Sequence, residues 1–228
     1  MTKLTTADLD TLTQWDTPTI CNALEITNPE RRGFGYNVKP LTSLDPSLPP
    51  MIGYARTAKI RAAAPATVAA DRLEYYEYVA TGPRPTIVVI EDVDPSPGYG
   101  AFWGEVQTNV HKGLGAKGCV TNGCFRDVTD SAPGFQLLGG MVNPSHAHVH
   151  LIEINCPVNV HGIEVVHGDI IHADLHGAVV VPEDAVKRIP DAVDLLIRRE
   201  AVILKAARAP DFNFEKLKVA IGTQADIH

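Results

Sequence analysis

The sequence predicts an α/β fold, and two patterns carry this prediction. In the first half of the chain, short runs rich in Val, Ile and Thr alternate with helical patterns; in the second half such runs follow one another directly. Alternation is typical of parallel βαβ units, so we expect a parallel portion joined to a compact β-rich portion. The 228 residues contain no Ser/Gly-rich linker and no shift in composition, which favours one domain over residues 1–228.

The expected elements follow from periodicity. Helical patterns occur at about residues 6–15, 18–26, 67–80, 101–113 and 183–207, and strand patterns at about 54–61, 86–91, 117–121, 149–154, 163–166, 169–173 and 177–181. Pro182 precedes one helical turn and Pro190 restarts the pattern, so the last helix is expected to break or kink there. Residues from about 183 to 228 are expected to form a C-terminal helical extension.

Composition limits the function classes. A net charge of -7, a pI near 5.7 and the absence of a basic cluster argue against a nucleic-acid partner. No run of about 18 apolar residues is present, so no membrane association is expected. The first ten residues lack an apolar segment of the kind found in secretory signals, which favours the cytoplasm.

A candidate site is indicated by the segment from Gly104 to Asp127. Glu105 opens an expected helix, and Arg126-Asp127 closes a glycine-punctuated strand, so these side chains are expected to meet at one sheet edge. Two carboxylates and a guanidinium can hold a hard divalent cation and an anionic substrate together. An ordinary helix-start Glu with a strand-end salt bridge is the structural alternative.

The residues of this segment also resemble a known motif. Trp103-Gly104-Glu105 followed by Gly115-Ala-Lys-Gly-Cys-Val-Thr-Asn-Gly-Cys-Phe-Arg-Asp127 is similar to the core motif of the RraA-like family, whose catalytic members are 4-hydroxy-4-methyl-2-oxoglutarate aldolases. Residues 17–24, 52–57 and 157–182 follow the family pattern in order, so the resemblance covers roughly residues 5–205. It implies an α/β/α sandwich, sometimes described as a swivelling β/β/α domain.

The resemblance also implies site roles. Asp127 would be the protein ligand of Mg²⁺ or Mn²⁺, and Glu105, where the family usually has Asp, would hold metal-bound waters. Arg126 would bind a 2-oxo acid and stabilise the charge of its enolate. The backbone N–H groups of Gly104, Glu105, Val106 and Gln107 would hold the pyruvyl carboxylate.

Glu200 is the remaining candidate. It lies within an apolar stripe of the helix after Pro190, and a carboxylate there needs a partner. The resemblance implies that this glutamate reaches the site of a neighbouring subunit, in a homotrimer or homohexamer with sites at subunit interfaces. A local pair with Arg198 or Lys205 is the alternative.

The function implied is a divalent-metal-dependent aldolase, a carbon–carbon lyase. It would cleave a 4-hydroxy-2-oxo acid to pyruvate and a carbonyl product, with oxaloacetate decarboxylation as a side activity. Two alternatives stay open. One is an RraA-like regulator of ribonuclease E without catalysis. The other is a metal enzyme built on His146, His148 and His150, which would share one face if their segment is extended.

Overall fold

The structure, a computed structural model, describes residues 3–227. The helices in this range are α1 (Thr6–Leu12), α2 (Thr17–Thr27), α3 (Arg72–Ala80), α4 (Glu105–Gly113), α5 (Ile189–Ala207) and α6 (Phe214–Ala225), with one 3₁₀ turn at Pro29–Arg31. The strands are β1 (Thr42–Ser43), β2 (Met51–Arg61), β3 (Thr86–Asp92), β4 (Ala116–Thr121), β5 (Cys124–Phe125), β6 (Gln136–Gly139), β7 (Met141–Val142), β8 (His150–Ile154), β9 (Val158–Val160), β10 (Ile163–Val165), β11 (Ile170–Asp174) and β12 (Gly177–Val181).

Eight of these strands form one mixed sheet. Its order is β1-β6-β4-β3-β2-β11-β12, and β8 also pairs with β2. Strands β2, β3, β4 and β6 are parallel neighbours, whereas β1, β8, β11 and β12 pair antiparallel. The expected division into a parallel βαβ portion and a β-rich portion is therefore confirmed. Because β3 and β4 are parallel, the loops that leave their carboxyl ends lie at one edge of the sheet.

The two faces of the sheet are covered differently. On β3, Ile87 and Val89 face a cluster that includes the β9–β10 hairpin, whereas Val88 and Ile90 face the aromatic cluster under α3 and α4. Farther along the second face, Ile52 belongs to a cluster with α1, α2 and α5. Side chains of a strand alternate between faces, so one strand supplies both layers. The α/β prediction is confirmed, with helices on one face and a β hairpin on the other.

Several element boundaries differ from the sequence prediction. Helix α4 begins at Glu105 rather than near residue 101, because the preceding segment is held extended: Trp103 bridges Phe125, and the Ala101 N–H donates to the Ser145 carbonyl at 2.8 Å. Helix α3 begins at Arg72, five residues later than expected, where the Asp71 side chain caps it. Helix α6 lies within the expected C-terminal helical extension, and β5 lies within the expected glycine-punctuated strand, whereas the short strands β1, β6, β7 and β9 were not predicted.

The prolines of the C-terminal region act as expected. Residues 183–188 form turns, and α5 begins at Ile189 with Pro190 in its first turn, where the missing N–H costs nothing. Helix α6 then packs against α5. None of the helices within residues 3–227 has the length and apolar character needed to cross a membrane.

Candidate active site

A pocket of about 400 Å³ lies between the start of α4 and the start of α3. Its lining comes from residues at the beginning of α4 and just after β5, together with residues that lead into α3 and into β8. The lining residues are Ala69, Ala70, Arg72, Ala101, Phe102, Gly104, Val106, Gln107, Arg126, Asp127, His146, Val149, His150 and Leu151.

Asp127 is fixed at the amino-terminal end of α4. Its Oδ2 accepts a hydrogen bond from the Glu105 N–H at 3.1 Å and lies 3.5 Å from Nε of Arg126. The residue has φ of 53°, a left-handed conformation that Asp tolerates better than most residues. Its carbonyl accepts from the N–H groups of Asp130 and Ser131, which turn the chain back. Within residues 3–227, no hydrogen bond occupies Oδ1 of Asp127.

This carboxylate fits a divalent cation bound mainly through water. Asp127 lines the pocket with one oxygen still available, and Mg²⁺ retains several waters when a single carboxylate holds it. Glu105 contributes its backbone N–H to Asp127, but its own side chain is exposed and is not part of the pocket lining. A water-mediated role for Glu105 stays a prediction.

The remaining groups around Asp127 suit an anion. The N–H groups of Val106 and Gln107, in the first turn of α4, have no hydrogen-bond acceptor among the described residues. Arg126 is anchored by its backbone N–H, which donates to the Trp103 carbonyl at 3.0 Å, and its side chain is 37% exposed. The Tyr76 hydroxyl donates to Oε1 of Gln107 at 3.0 Å, which orients that amide.

Gly104 is required where the chain enters α4. An added Cβ would overlap Oδ2 of Asp127 and would lie 3.2 Å from Cγ of Arg126. The backbone at Gly104 is extended, a conformation open to any residue, so the constraint is one of space.

We therefore expect Gly104→Ala to displace the Asp127 carboxylate while the fold persists, because the obstructing group is the end of a side chain. A shift of the carboxylate by about 1 Å should lower kcat/KM for the expected release of pyruvate about a hundredfold. The free energy of unfolding should fall by less than about 1 kcal/mol. Gly113→Ala, at the other end of α4, is the matched control because its added Cβ would meet nothing within 4 Å. Equal activities of the two variants would contradict this reading.

A buried histidine joins α4 to α3 behind the pocket. Nδ1 of His111 donates to the Gln107 carbonyl at 2.7 Å, so Nε2 accepts from the Tyr75 hydroxyl, also at 2.7 Å. The imidazole ring lies 4.5 Å from the Trp103 ring, centroid to centroid. Burial lowers the pKa of His111 to about 4, so the ring is neutral near pH 7.

Glu200 lies elsewhere in the chain. It is exposed on α5 and lines a shallow groove with neighbours such as Ile197, Leu204 and Lys205, none of which lines the pocket beside Asp127. Within one chain, then, the structure brings together Gly104, Val106, Gln107, Arg126 and Asp127, but not Glu200. The proposed contribution of Glu200 to a neighbouring site stays a prediction.

The histidine alternative required an extended segment so that His146, His148 and His150 would share one face, and the structure does not meet this condition. Ala147 has φ of 45° and the chain turns there, so only His150 belongs to β8. His146 and His150 line the pocket, whereas His148 does not. In the described part of the chain, no three His, Cys, Asp or Glu side chains are grouped to bind a metal. Sequence reasoning also missed Arg72 and Tyr76, because no local pattern links them to residues 104–127.

Comparisons with known proteins give a partial match in sequence and nearly full-length matches in fold. An uncharacterized protein of Methanocaldococcus jannaschii is 35% identical over 104 residues, which are 45% of this chain and 50% of that protein, so the chain matches only about half the length of that relative. An uncharacterized Pseudomonas syringae structure has a TM-score of 0.72 at 22% identity, covering 97% of this chain and 96% of that one. A Streptomyces coelicolor structure, described as an unusual member of the RNase ES inhibitor RraA family, has a TM-score of 0.68 at 20% identity, covering 88% and 96%.

The family model named RraA-like, described as Aldolase/RraA, matches residues 17–180. This range contains the parallel strands β2, β3, β4 and β6 and every residue of the pocket. Because the match covers well over half of the chain, the chain belongs to the RraA-like family.

Proposed function

We propose that this protein is a divalent-metal-dependent aldolase that releases pyruvate from 4-hydroxy-2-oxo acids. The observation that supports it is the meeting of three kinds of group in one pocket: the Asp127 carboxylate, the Arg126 guanidinium and the free N–H groups of Val106 and Gln107. This set binds a hard cation and a 2-oxo acid side by side. A purely structural ion pair would not require a pocket beside it.

The chain's own residues would act as follows. The N–H groups of Val106 and Gln107 bind the substrate carboxylate. The C4 hydroxyl loses its proton through water to Glu105, C4 becomes a carbonyl, and the C3–C4 electron pair forms an enolate. Arg126 stabilises the enolate oxygen, and protonation at C3 gives pyruvate. A Mg²⁺ or Mn²⁺ ion held by Asp127 would supply Lewis acidity that polarises the 2-oxo group.

Oxaloacetate decarboxylation follows from the same groups. Loss of CO₂ from C4 of oxaloacetate leaves the electron pair on C3, which is the same enolate. Arg126 would stabilise its oxygen in the same way, so we propose this reaction as a side activity.

The direct test is a pyruvate-release assay with oxaloacetate and with 4-hydroxy-2-oxo acids. The protein is first treated with a chelator, and Mg²⁺ or Mn²⁺ is then restored. We expect turnover to disappear with chelation and to return with either ion. Metal-independent turnover, or no pyruvate from any of these acids, would contradict the proposed function.

A regulator of ribonuclease E remains the second candidate, since the RraA-like family includes proteins described as RNase inhibitors. Likeness at 20% identity supports only the fold, and a regulator has no need of the Asp127 and Arg126 arrangement. The regulator would be favoured if the protein released no pyruvate and if its Asp127→Asn variant still inhibited ribonuclease E.

We also propose that the active assembly is a homotrimer or a homohexamer with sites shared between chains. The supporting feature is the set of large hydrophobic side chains that remain exposed on α5 and α6 in the single chain. Exposed apolar side chains that lie together are typical of an interface. They are Ile197, Leu204, Phe214, Val219 and Ile221, and Ile197 and Leu204 line the groove beside Glu200. Glu200 lies on α5 beside Ile197 and Leu204, so an interface there would carry Glu200 to a neighbouring chain.

We therefore expect activity to be regained when two inactive chains are combined. Glu200→Ala and Asp127→Asn chains, each inactive alone, are mixed in equal amounts, dissociated and reassembled. Active sites formed where an intact Glu200 meets an intact Asp127 should then release pyruvate. A mixture without dissociation serves as the control, and inactive mixed assemblies with demonstrated subunit exchange would show that sites are not shared in this way.

A further inference from the structure

A second, smaller pocket lies between α2 and β12, the last strand in the order of the sheet. Its volume is about 160 Å³, and the 3₁₀ turn and the segment that follows it complete the lining. It shares no lining residue with the pocket beside Asp127. We call it the Arg31 pocket, after the guanidinium that it contains.

Arg31 is a cation without a counter-charge. Within residues 3–227, no carboxylate pairs with it, and its buried Nε has no hydrogen-bond acceptor. Its Nη2 donates to the Val180 carbonyl, but that hydrogen bond is long, at 3.4 Å. The carboxylate of Glu25, which also lines the pocket, is paired with Arg32 at 2.9 Å. The lining therefore carries one uncompensated positive charge, in a chain whose net charge is -7.

Two neighbours hold the Arg31 guanidinium in place. Its Cζ lies over the Phe34 ring, 5.1 Å from the ring centroid. Gly35 has φ of 92°, and an added Cβ there would overlap Nη2 of Arg31, so this glycine leaves the space that the guanidinium occupies. A guanidinium above an aromatic ring keeps the N–H groups at its edge available, and those groups bind a carboxylate in their own plane.

The chemistry of the pocket suits a small acid with an apolar body. Arg does not lose its proton in proteins, so a half-buried Arg31 cannot avoid its desolvation by becoming neutral, and an anion is the partner that offsets this cost. The rest of the lining is mainly apolar and includes Leu24, Phe34, Tyr36 and Val179. A volume of about 160 Å³ is below the roughly 300–1,000 Å³ of sites for drug-sized ligands.

We propose that the Arg31 pocket is a second ligand site, which binds a small monocarboxylic acid through a charge-assisted pair with Arg31. The apolar body of the acid packs against Phe34, Tyr36 and Val179. The site does not depend on the proposed function, because it shares no residue with the candidate active site. A carboxylate side chain from a second copy of the chain is the other source of the same chemistry, and the test separates the two.

The test measures occupancy at Cys21, which lines the Arg31 pocket and is half-buried, whereas the other three cysteines are buried. Burial raises the pKa of the Cys21 thiol to about 11, so alkylation by neutral iodoacetamide is followed at about pH 9, where some thiolate forms. Mass spectrometry of the Cys21 peptide gives the rate. This local measurement is needed because the pocket beside Asp127 also suits a carboxylate.

Benzoate is compared with benzamide, which has nearly the same shape and no charge. We expect benzoate to slow the alkylation of Cys21, with half-protection at a concentration about thirtyfold lower than for benzamide, the value of a charged hydrogen-bonded pair. Arg31→Gln should abolish this preference. Arg31→Lys keeps the charge but loses the planar fork, so it should retain a preference of only about fivefold.

Arg61→Gln is the matched control, because it removes the same charge from an exposed arginine that does not line the Arg31 pocket. Its preference for benzoate should equal that of the wild type. Equal protection by the two ligands in the wild type would overturn the assignment. A preference undiminished in both Arg31 variants would do so as well, and the Arg31→Lys variant decides the matter if Arg31→Gln does not fold.

Light scattering distinguishes a free acid from a second copy of the chain. We expect the Arg31 variants to keep the wild-type oligomeric state. If Arg31→Gln changes that state and benzoate does not protect Cys21 in the wild type, the occupant is a carboxylate of a neighbouring chain and the proposal is wrong. Asp127→Asn should leave the protection unchanged, so the aldolase proposal and this assignment can fail separately.

Discussion

Replacing Asp127 with Asn is expected to lower kcat/KM for pyruvate release about a thousandfold. The neutral amide loses the charge that would hold the divalent cation and that offsets the Arg126 guanidinium 3.5 Å away. The fold should persist. An amide oxygen can still accept from the Glu105 N–H, and Asn adopts the left-handed conformation as readily as Asp. The lost charge at the start of α4 should cost only about 0.5 kcal/mol.

The measurement pairs steady-state kinetics with thermal unfolding. Asp130→Asn is the matched control, because this exposed carboxylate belongs to the same turn and does not line the pocket. We expect the control to retain wild-type activity, and both variants to unfold within about 4 °C of the wild type. An Asp127→Asn protein with near-normal kcat/KM would remove the basis of the proposed mechanism.

Acidification from about pH 7 to about pH 4 is expected to lower the free energy of unfolding by about 3 kcal/mol through His111. Burial lowers the pKa of the folded His111 to about 4, whereas the unfolded side chain has a pKa near 6.5. Between these values the unfolded chain binds the extra proton, so stability falls as the pH falls. Burial also lowers the pKa of His172, which adds a change of the same sign.

One carboxyl group acts in the opposite direction. Burial raises the pKa of Asp92, so the folded state binds its proton first and gains stability in the acid part of the same range. By contrast, hydrogen bonds lower the pKa values of Asp8 and Asp45, which therefore lose their contributions only below about pH 4. The pH dependence of the free energy of unfolding combines the contributions of all these groups. A variant is therefore needed to isolate the contribution of His111.

That variant is His111→Gln, whose amide accepts from the Tyr75 hydroxyl but does not titrate. The free energy of unfolding is measured with urea at about pH 7, 5.5 and 4, at one protein concentration. Between pH 7 and pH 4 it should fall by about 3 kcal/mol less in this variant than in the wild type. His148→Gln, at an exposed imidazole whose side chain makes no hydrogen bond or ion pair within residues 3–227, should keep the wild-type dependence. A pH dependence unchanged in His111→Gln would show that the buried ring is not its source.

Much of the fold and part of the candidate site were readable in the sequence. The strand pattern near residues 86–91 and the glycine-punctuated run before Arg126 follow from local periodicity, and the structure has β3, β4 and β5 there. Residues 104–107 and 126–127 come together because the parallel strands that precede them end at one edge. Chain order and strand direction suffice for that conclusion.

The errors have local physical causes. Residues 101–104 carry a helical pattern, but pairing of Trp103 with Phe125 and the bond from Ala101 to Ser145 hold them extended. The alternation of His146 and His150 suggests a strand, yet a left-handed residue at Ala147 turns the chain between them. In both cases a tertiary hydrogen bond or a turn outweighs an intrinsic preference of less than about 1 kcal/mol per residue.

The sequence by itself determined the α/β class, the family motif and the group of pocket residues around Asp127. Only the tertiary structure decided that Arg72, His146 and His150 line the same pocket and that Glu200 lies outside the pocket of its own chain. The physical reason is that periodicity reports which side of an element is buried, within a window of about 18 residues. Which distant elements share a pocket depends instead on sheet order and on packing between layers, and neither leaves a local pattern.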